Sequence, residues 1–366
     1  MDKWSDELYQ CYINDDGESI EKLFYNHSGI TYDDFIMLPR YTDFNYNEVN
    51  LITKISKRLD LKLPFLSSPM DTLTGEELAI ALGKSGGLGV IHYNQPIKDQ
   101  TNMISNIKSE NILAAAAVST HQEDRQRILE LNSAKVDIIV VDSSHGNSKY
   151  QIDTIKFIKD NCNNIEVIGG NVVTMDGAIR LIEANVDAIK IGMGSGSICT
   201  TQEVTGCGRS QATAVHSIYK VARHYNLPII ADGGISKYSH IAKALTIGAS
   251  AVMMGYMFAG TNESLGKTQY RGMASKEAMV EGGRKRYGVE STKIIVPQGV
   301  SGNVENRGSI VDVINKMSLA LKQSLQILGC MSIDELHANN LNAHIRTELR
   351  SLSSIREGGV HDVSTK

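Results

Sequence analysis

Cys199 has the neighbours that chemistry needs. It sits in KIGMGSGSICTTQEVTGCGRSQ, residues 190–211, which follows an apolar run from Val186 to Ile191. Gly192, Gly194 and Gly196 let the backbone pass close to a ligand. The setting Ser197-Ile198-Cys199-Thr200-Thr201 can surround the thiol with amides and hydroxyls. A glycine-spaced loop of this kind can hold a phosphate, hold a cation through its carbonyls, or simply turn. A thiolate beside a ligand site is a nucleophile; the plainer alternative is a small buried cysteine in a turn.

A second group lies further on. Gly233-Gly234 and Gly255 each follow an apolar run, and with Ser197 their backbone amides can cradle a 5′-phosphate. Asp232, one residue earlier, is placed to accept hydrogen bonds from ribose hydroxyls. Together they point to a nucleoside monophosphate, with a structural aspartate in a turn as the alternative.

These residues need a scaffold that brings distant loops together. Eight short apolar runs serve as strand candidates: Leu63–Leu66, Leu88–Ile91, Leu113–Val118, Ile138–Val141, Val167–Gly169, Ala188–Ile191, Pro228–Ala231 and Ala251–Met254. Segments of helical spacing, such as GEELAIALGKSG and TMDGAIRLIEANV, lie between them. The runs lack strict polar alternation, as expected of parallel strands covered on both faces. The pattern predicts an α/β fold, a (β/α)8 TIM barrel with a mobile flap inserted after the eighth strand. An open doubly wound sheet is the competing architecture, but no run is followed by the GxGxxG fingerprint. Ser67-Ser68, His92, His121, Asp142-Ser143-Ser144, Asn171, the cysteine loop, Asp232 and Gly255-Tyr256 all stand where strands end, so a barrel would gather them at its mouth.

Composition sets the outer bounds. The chain has 366 residues, 42% hydrophobic content and a formal net charge of −4, which gives no general attraction to nucleic acid or anionic membrane. No apolar run approaches a membrane span, and the first residues lack a signal peptide's apolar region. The five cysteines (11, 162, 199, 207 and 330) are odd in number and form no CxxC pair. A reducing cytoplasmic location is the expectation.

Seven further blocks accompany GMGSGSICTTQEV and its following CGR and QATAV: YDDFIMLP, SSPMDT, VVDSSHGNS, GGNVVT, IADGGI, YRGMAS and EGGVHDV. In this order they resemble the IMP dehydrogenase and GMP reductase family over most of the chain. The resemblance implies that Cys199 attacks C2 of the hypoxanthine ring of IMP. Hydride then passes to NAD, and water hydrolyses the covalent thioimidate. It places IMP against Ser68, Ser197, Asp232, Gly233, Gly234, Gly255, Tyr256, Tyr270, Arg271, Gly272, Met273, Ala274 and Gln298. It places NAD near Asp142, Ser143, Ser144, Gly192, Met193 and Gly194, with His121 and Tyr150 at positions that hold adenine in some members. It implies a potassium ion bound by Gly194, Gly196 and Cys199 and completed by Glu357, Gly358 and Gly359 of a neighbouring subunit, hence a homotetramer.

Arg286-Tyr287 match the pair that activates water in the dehydrogenase branch, whereas Thr201 and Glu290 match a proton relay common to both branches. The resemblance therefore implies residues 1–28 as an arm, 29–366 as the catalytic barrel, a flap at about 266–302 and a cation-site segment at about 356–363. Where many members insert paired CBS regulatory modules, only about Lys108 to Asn111 remains, so no CBS domain is expected. The segment 266–270 is short, and Tyr256 stands where serine is usual. A GMP reductase, a catalytically silent nucleotide-binding scaffold and an aldolase-like barrel using Lys190 as a Schiff base are the competing readings.

Overall fold

The computed structural model describes residues 18–25, 29–280 and 296–360. Eight parallel strands close into a barrel: β1 (Phe65–Ser67), β2 (Leu88–Ile91), β3 (Ala115–Val118), β4 (Ile138–Asp142), β5 (Glu166–Val172), β6 (Ala188–Ile191), β7 (Ile229–Asp232) and β8 (Ala251–Met254). Each pairs with its sequence neighbours, and β8 closes on β1 through Val252 opposite Phe65. The strand ends fall within about three residues of the apolar runs, the usual uncertainty of element boundaries.

Helices follow the strands in turn: α1 (Glu76–Lys84), α2 (Ile97–Ser109), α3 (Asp124–Ser133), α4 (Lys149–Asn161), α5 (Met175–Glu183), α6 (Gln211–Ala222), α7 (Tyr238–Thr246) and α8 (Ile310–Ile327). Ser148, Thr174 and Ser309 cap α4, α5 and α8, each accepting a hydrogen bond from a first-turn N–H. Between β2 and β3 the chain makes only α2 and a turn at Glu110-Asn111.

Two apolar layers result. Ile128, Ile155, Leu181, Ile218 and Leu245 pack the helices onto the outside of the strands. Leu66, Leu88, Val90, Ala115, Ala117, Ile138, Val140, Ile168, Ala188, Ile230, Ala251 and Met253 fill the interior. At the strand N-termini Ile55 and Leu61 join this inner layer from a hairpin (Thr53–Lys54 with Asp60–Leu61), which plugs the floor. Burying each such aliphatic side chain contributes roughly 1.5–3 kcal/mol before entropy is counted.

The period-two rule of a strand then fixes the mouth. Ser68 follows Leu66, Asp142 follows Val140, Lys190 follows Ala188, Asp232 follows Ile230, and Gly255 follows Met253. These positions continue the inward-facing series one step beyond its last apolar member. Polar residues therefore crown an apolar barrel.

The first and last described segments are joined by a small sheet. Glu18–Ser19 and Phe35–Met37 flank Arg346–Leu349 in a three-stranded antiparallel sheet. Leu23 and Phe24 are buried, and the Phe24 ring stacks on His216 with centroids 4.5 Å apart.

Candidate active site

The mouth opens into a cavity of about 320 Å³ lined by the loops after β1, β4, β6, β7 and β8. Its floor is an ionic cluster. Lys190 is buried, and its Nζ donates to Asp142 Oδ1 (3.1 Å), to Asp232 Oδ2 (2.7 Å) and to Asn171 Oδ1. Asn171 Nδ2 donates to the same Asp232 oxygen at 3.0 Å. A Schiff-base lysine needs an uncharged amine available to a carbonyl; this one is spent on three acceptors, which removes the aldolase-like reading. Lys190 instead orients Asp232 from below.

The cysteine loop arches over this floor. Gly192 takes φ +149°, and a Cβ there would collide with the Asp232 carbonyl, so glycine is required for β6 to leave the barrel. Gln211, at the start of α6, latches the loop by donating to the carbonyls of Ile191 (2.8 Å) and Asp232 (3.2 Å). Cys199 Sγ lies 3.1 Å from Thr201 Oγ1. The loop is zipped to the far end of the segment expected to form the flap: Thr200 N–H donates to Gln298 (3.0 Å), and Val300 N–H donates to Ile198 (3.0 Å). The thiol is thereby held where the cysteine loop meets residues 298–300.

Packed against this loop, Gly233 and Gly234 adopt φ +95° and +73°, and a Cβ on Gly233 would meet Ser195 Oγ. The N–H groups of Ser197, Gly234 and Tyr256 have no hydrogen-bond partner among the described residues. Three unspent donors on one concave wall suit a phosphate, at the end of the barrel where such sites occur. Tyr270 covers this corner, with its hydroxyl directed at Met70 Sδ (3.8 Å). Burial pushes its phenol well above the ordinary value, so it remains a neutral donor.

Ser68, Gly272, Met273, Ala274 and Gln298 also line the cavity, as do Asp142, Ser143, Ser144, Met193, Gly194 and Gly196. Arg271 does not. It forms a bidentate pair with Asp71 (3.0 and 2.9 Å) that ties the base of the expected flap segment to the loop after β1. That base is a hairpin, Gln269–Arg271 against Ser301–Asn303, followed by a helix at Lys276–Val280. Arg286, Tyr287 and Glu290 lie outside the described residues.

A second cavity, of about 970 Å³, adjoins the first and shares Ser144, Asn171, Met193, Thr201 and Gln298 with it. Val172, Val173, Met279 and Val296 give it an apolar wall suited to a flat ring. His121 and Tyr150 line neither cavity, and Tyr150 is 71% exposed.

No group of three acidic, histidine or cysteine side chains is placed to hold a metal among the described residues. A site made of backbone oxygens is another matter. The Gly194 and Cys199 carbonyls accept no hydrogen bond among the described residues, whereas that of Gly196 accepts from Cys199 N–H at 3.0 Å. Glu357, Gly358 and Gly359 are exposed at the end of a short helix and line neither cavity. Cys162, Cys199, Cys207 and Cys330 are unpaired thiols. No helix among the described residues is long and apolar enough to cross a membrane.

Sequence reasoning missed the use of Asn171 and Lys190 and the latch at Gln211. The two-residue alternation from Ala188 would have found Lys190.

A sequence profile of the IMP dehydrogenase/GMP reductase domain matches residues 29–361. The chain is 32% identical to inosine-5′-monophosphate dehydrogenase 2 of Arabidopsis thaliana, with 95% of this chain and 97% of that protein aligned. It is 31% identical to inosine-5′-monophosphate dehydrogenase of Vigna unguiculata (95% and 96%) and 32% identical to that of Schizosaccharomyces pombe (98% and 97%). The Arabidopsis alignment extends over 488 positions against 366 residues here, so that relative carries segments with no counterpart in this chain. On the match over nearly its whole length, the chain belongs to the IMP dehydrogenase/GMP reductase family.

Proposed function

We propose that the protein oxidises IMP to XMP with NAD through a covalent intermediate on Cys199. The observation that supports this most is that one cavity is lined both by the Cys199 thiol, 3.1 Å from the Thr201 hydroxyl, and by Ser197, Gly234 and Tyr256, whose N–H groups are unspent among the described residues. A phosphate in that cradle and ribose hydroxyls on Asp232 would leave the base facing Cys199. Asp232, held by Lys190 and Asn171, is pre-aimed for the ribose.

Attack of Sγ on C2 forms the C–S bond, and departure of the C2 hydride leaves a thioimidate on Cys199. NAD supplies the acceptor for that hydride, and the adjoining cavity, bounded by Ser144 and Met193, is where the nicotinamide fits. Water then adds to C2 and loses a proton, XMP departs, and the thiol is restored. Thr201 is placed to relay protons at Sγ, and Arg286-Tyr287 is the sequence pair assigned to activating the water.

The dehydrogenase branch is favoured over GMP reductase by Arg286-Tyr287 and by the names of the relatives. The uninterrupted passage from β2 through α2 to β3 supports a form without CBS modules. Purified protein given IMP and NAD should produce NADH, while GMP with NADPH should give little change in nicotinamide absorbance. Preferential GMP-dependent consumption of NADPH would reverse the branch.

The reading of a potassium site in the loop is supported by the Gly194 and Cys199 carbonyls, which are unspent among the described residues; Gly196, whose carbonyl accepts from Cys199 N–H, would contribute a third oxygen. The ion would supply charge that holds these carbonyls together. Glu357, Gly358 and Gly359, exposed on this chain, are read as completing a neighbour's site in a cytoplasmic homotetramer. Truncation after Arg356 should weaken both activity and the potassium response. Full activity of that variant in potassium-free buffer would remove the site.

A further inference from the structure

The turn after β8 is held from behind by a residue that lies beyond the flap. Gly255 opens the turn, its carbonyl accepting from the N–H groups of Phe258 (3.1 Å) and Ala259 (3.0 Å). The carbonyls of Tyr256 and Met257 fall to Arg307, whose Nη1 donates to them at 2.8 and 3.1 Å. The same guanidinium lies over the Tyr256 ring, with Cζ 4.4 Å from the centroid. The Arg307 N–H reaches the far end of the turn, donating to Gly260 at 2.8 Å. One residue therefore grips both ends of the turn that presents the Tyr256 N–H to the cavity.

Among the described residues its guanidinium forms no ion pair and spends its hydrogen bonds on the two carbonyls. A half-buried guanidinium on the outer side of an aromatic ring leaves a positive field behind whatever occupies the inner side. Tyr256 itself lines the cavity, together with Ser197 and Gly234.

We propose that Arg307 is a positioning residue for the 5′-phosphate. It fixes the Tyr256 N–H in place and sets a cation behind the ring, so that the site prefers a nucleotide to its nucleoside. This rests on the nucleotide reading above. Arg271, the arginine nearer in sequence to the cavity, cannot take this part because Asp71 neutralises it.

The test compares IMP with inosine, which differs only by the phosphate. Calorimetric titration of the full chain should show IMP binding far more tightly than inosine. Arg307→Ala should weaken IMP about tenfold, the effect of one nearby charge on an anion in partly wet surroundings, and leave inosine within about twofold. Arg307→Lys, which restores charge without the fork that spans both carbonyls, should fall between. A purely structural role would weaken both ligands by the same factor, and that result, or unchanged IMP binding, overturns the proposal. If Arg307→Ala does not fold, Arg307→Lys and Arg307→Gln supply the same comparison. Wild-type protein that bound IMP no better than inosine would instead remove the nucleotide reading itself.

Discussion

At the floor of the barrel Glu166 and Asp187 sit among Arg58, Lys57 and Lys159, while at its mouth Asp142 and Asp232 sit around Lys190. The chemical inventory is nearly the same, and β5 and β6 run from one cluster to the other. Their partners differ. The floor carboxylates accept backbone N–H bonds as well as ion pairs: Asp187 from Val167 (2.7 Å) and Glu166 from Arg58 (3.0 Å). They cap strand starts and have no cavity beside them among those described. At the mouth Asp232 faces a cavity, and the donors nearby are unspent. Similar charges thus stabilise the fold at one end and await a ligand at the other, as the two faces of this architecture lead one to expect.

The comparison breaks most visibly at Cys199. Cys199→Ala should abolish turnover while IMP binding and thermal stability stay close to wild type, because the proposed phosphate and ribose contacts lie elsewhere. Loss of IMP binding along with activity would mean that the loop, not the thiol, had been damaged.

Arg286→Ala should act on one half of the reaction. In the proposed reaction, hydride departure needs Cys199 and the two ligands, whereas hydrolysis needs water to lose a proton. Removing a positioned base costs about 10²–10⁴-fold, so a rapid burst of about one NADH per site, as single-turnover stoichiometry requires, should precede slow turnover. A fall in burst and steady rate together would place Arg286 before hydride transfer.

The floor should respond in the opposite sense. Glu166→Gln should cost about 2 kcal/mol of stability, the scale of a lost charge-assisted hydrogen bond, with little change in turnover. Burial tends to raise the Glu166 carboxyl, but hydrogen bonds, those from Arg58 among them, and the guanidinium charge hold it below the ordinary value. A depressed folded pKa contributes stability above the unfolded value, about 4.3, and that stability is lost as pH falls through the lower folded value. The gap between wild type and Glu166→Gln in chemical denaturation should therefore close on acidification. A gap independent of pH, or a variant inactive but fully stable, would merge the two ends.

The barrel was legible because its strands are covered on both faces: Leu88–Ile91, Ala188–Ile191 and Ala251–Met254 read directly as apolar runs. The strand ends gave the polar crown for the same reason. The Lys190 cluster was not legible as a cluster, since Asp142 and Asp232 lie 48 and 42 residues away and only barrel closure brings them together. Arg307 was missed for a like reason, being 51 residues from Tyr256 and joined to it through backbone carbonyls that no side-chain pattern reveals. Arg271 stood in a matching block, yet its position alone could not show that Asp71 had claimed it.

The central claim is that the mouth performs covalent chemistry at one thiol. Mass spectrometry of protein quenched during turnover with IMP and NAD tests it most directly. The account predicts a purine adduct on the peptide bearing Cys199, absent from Cys199→Ala. An adduct on Cys207, or turnover of Cys199→Ala with no adduct at all, would contradict it.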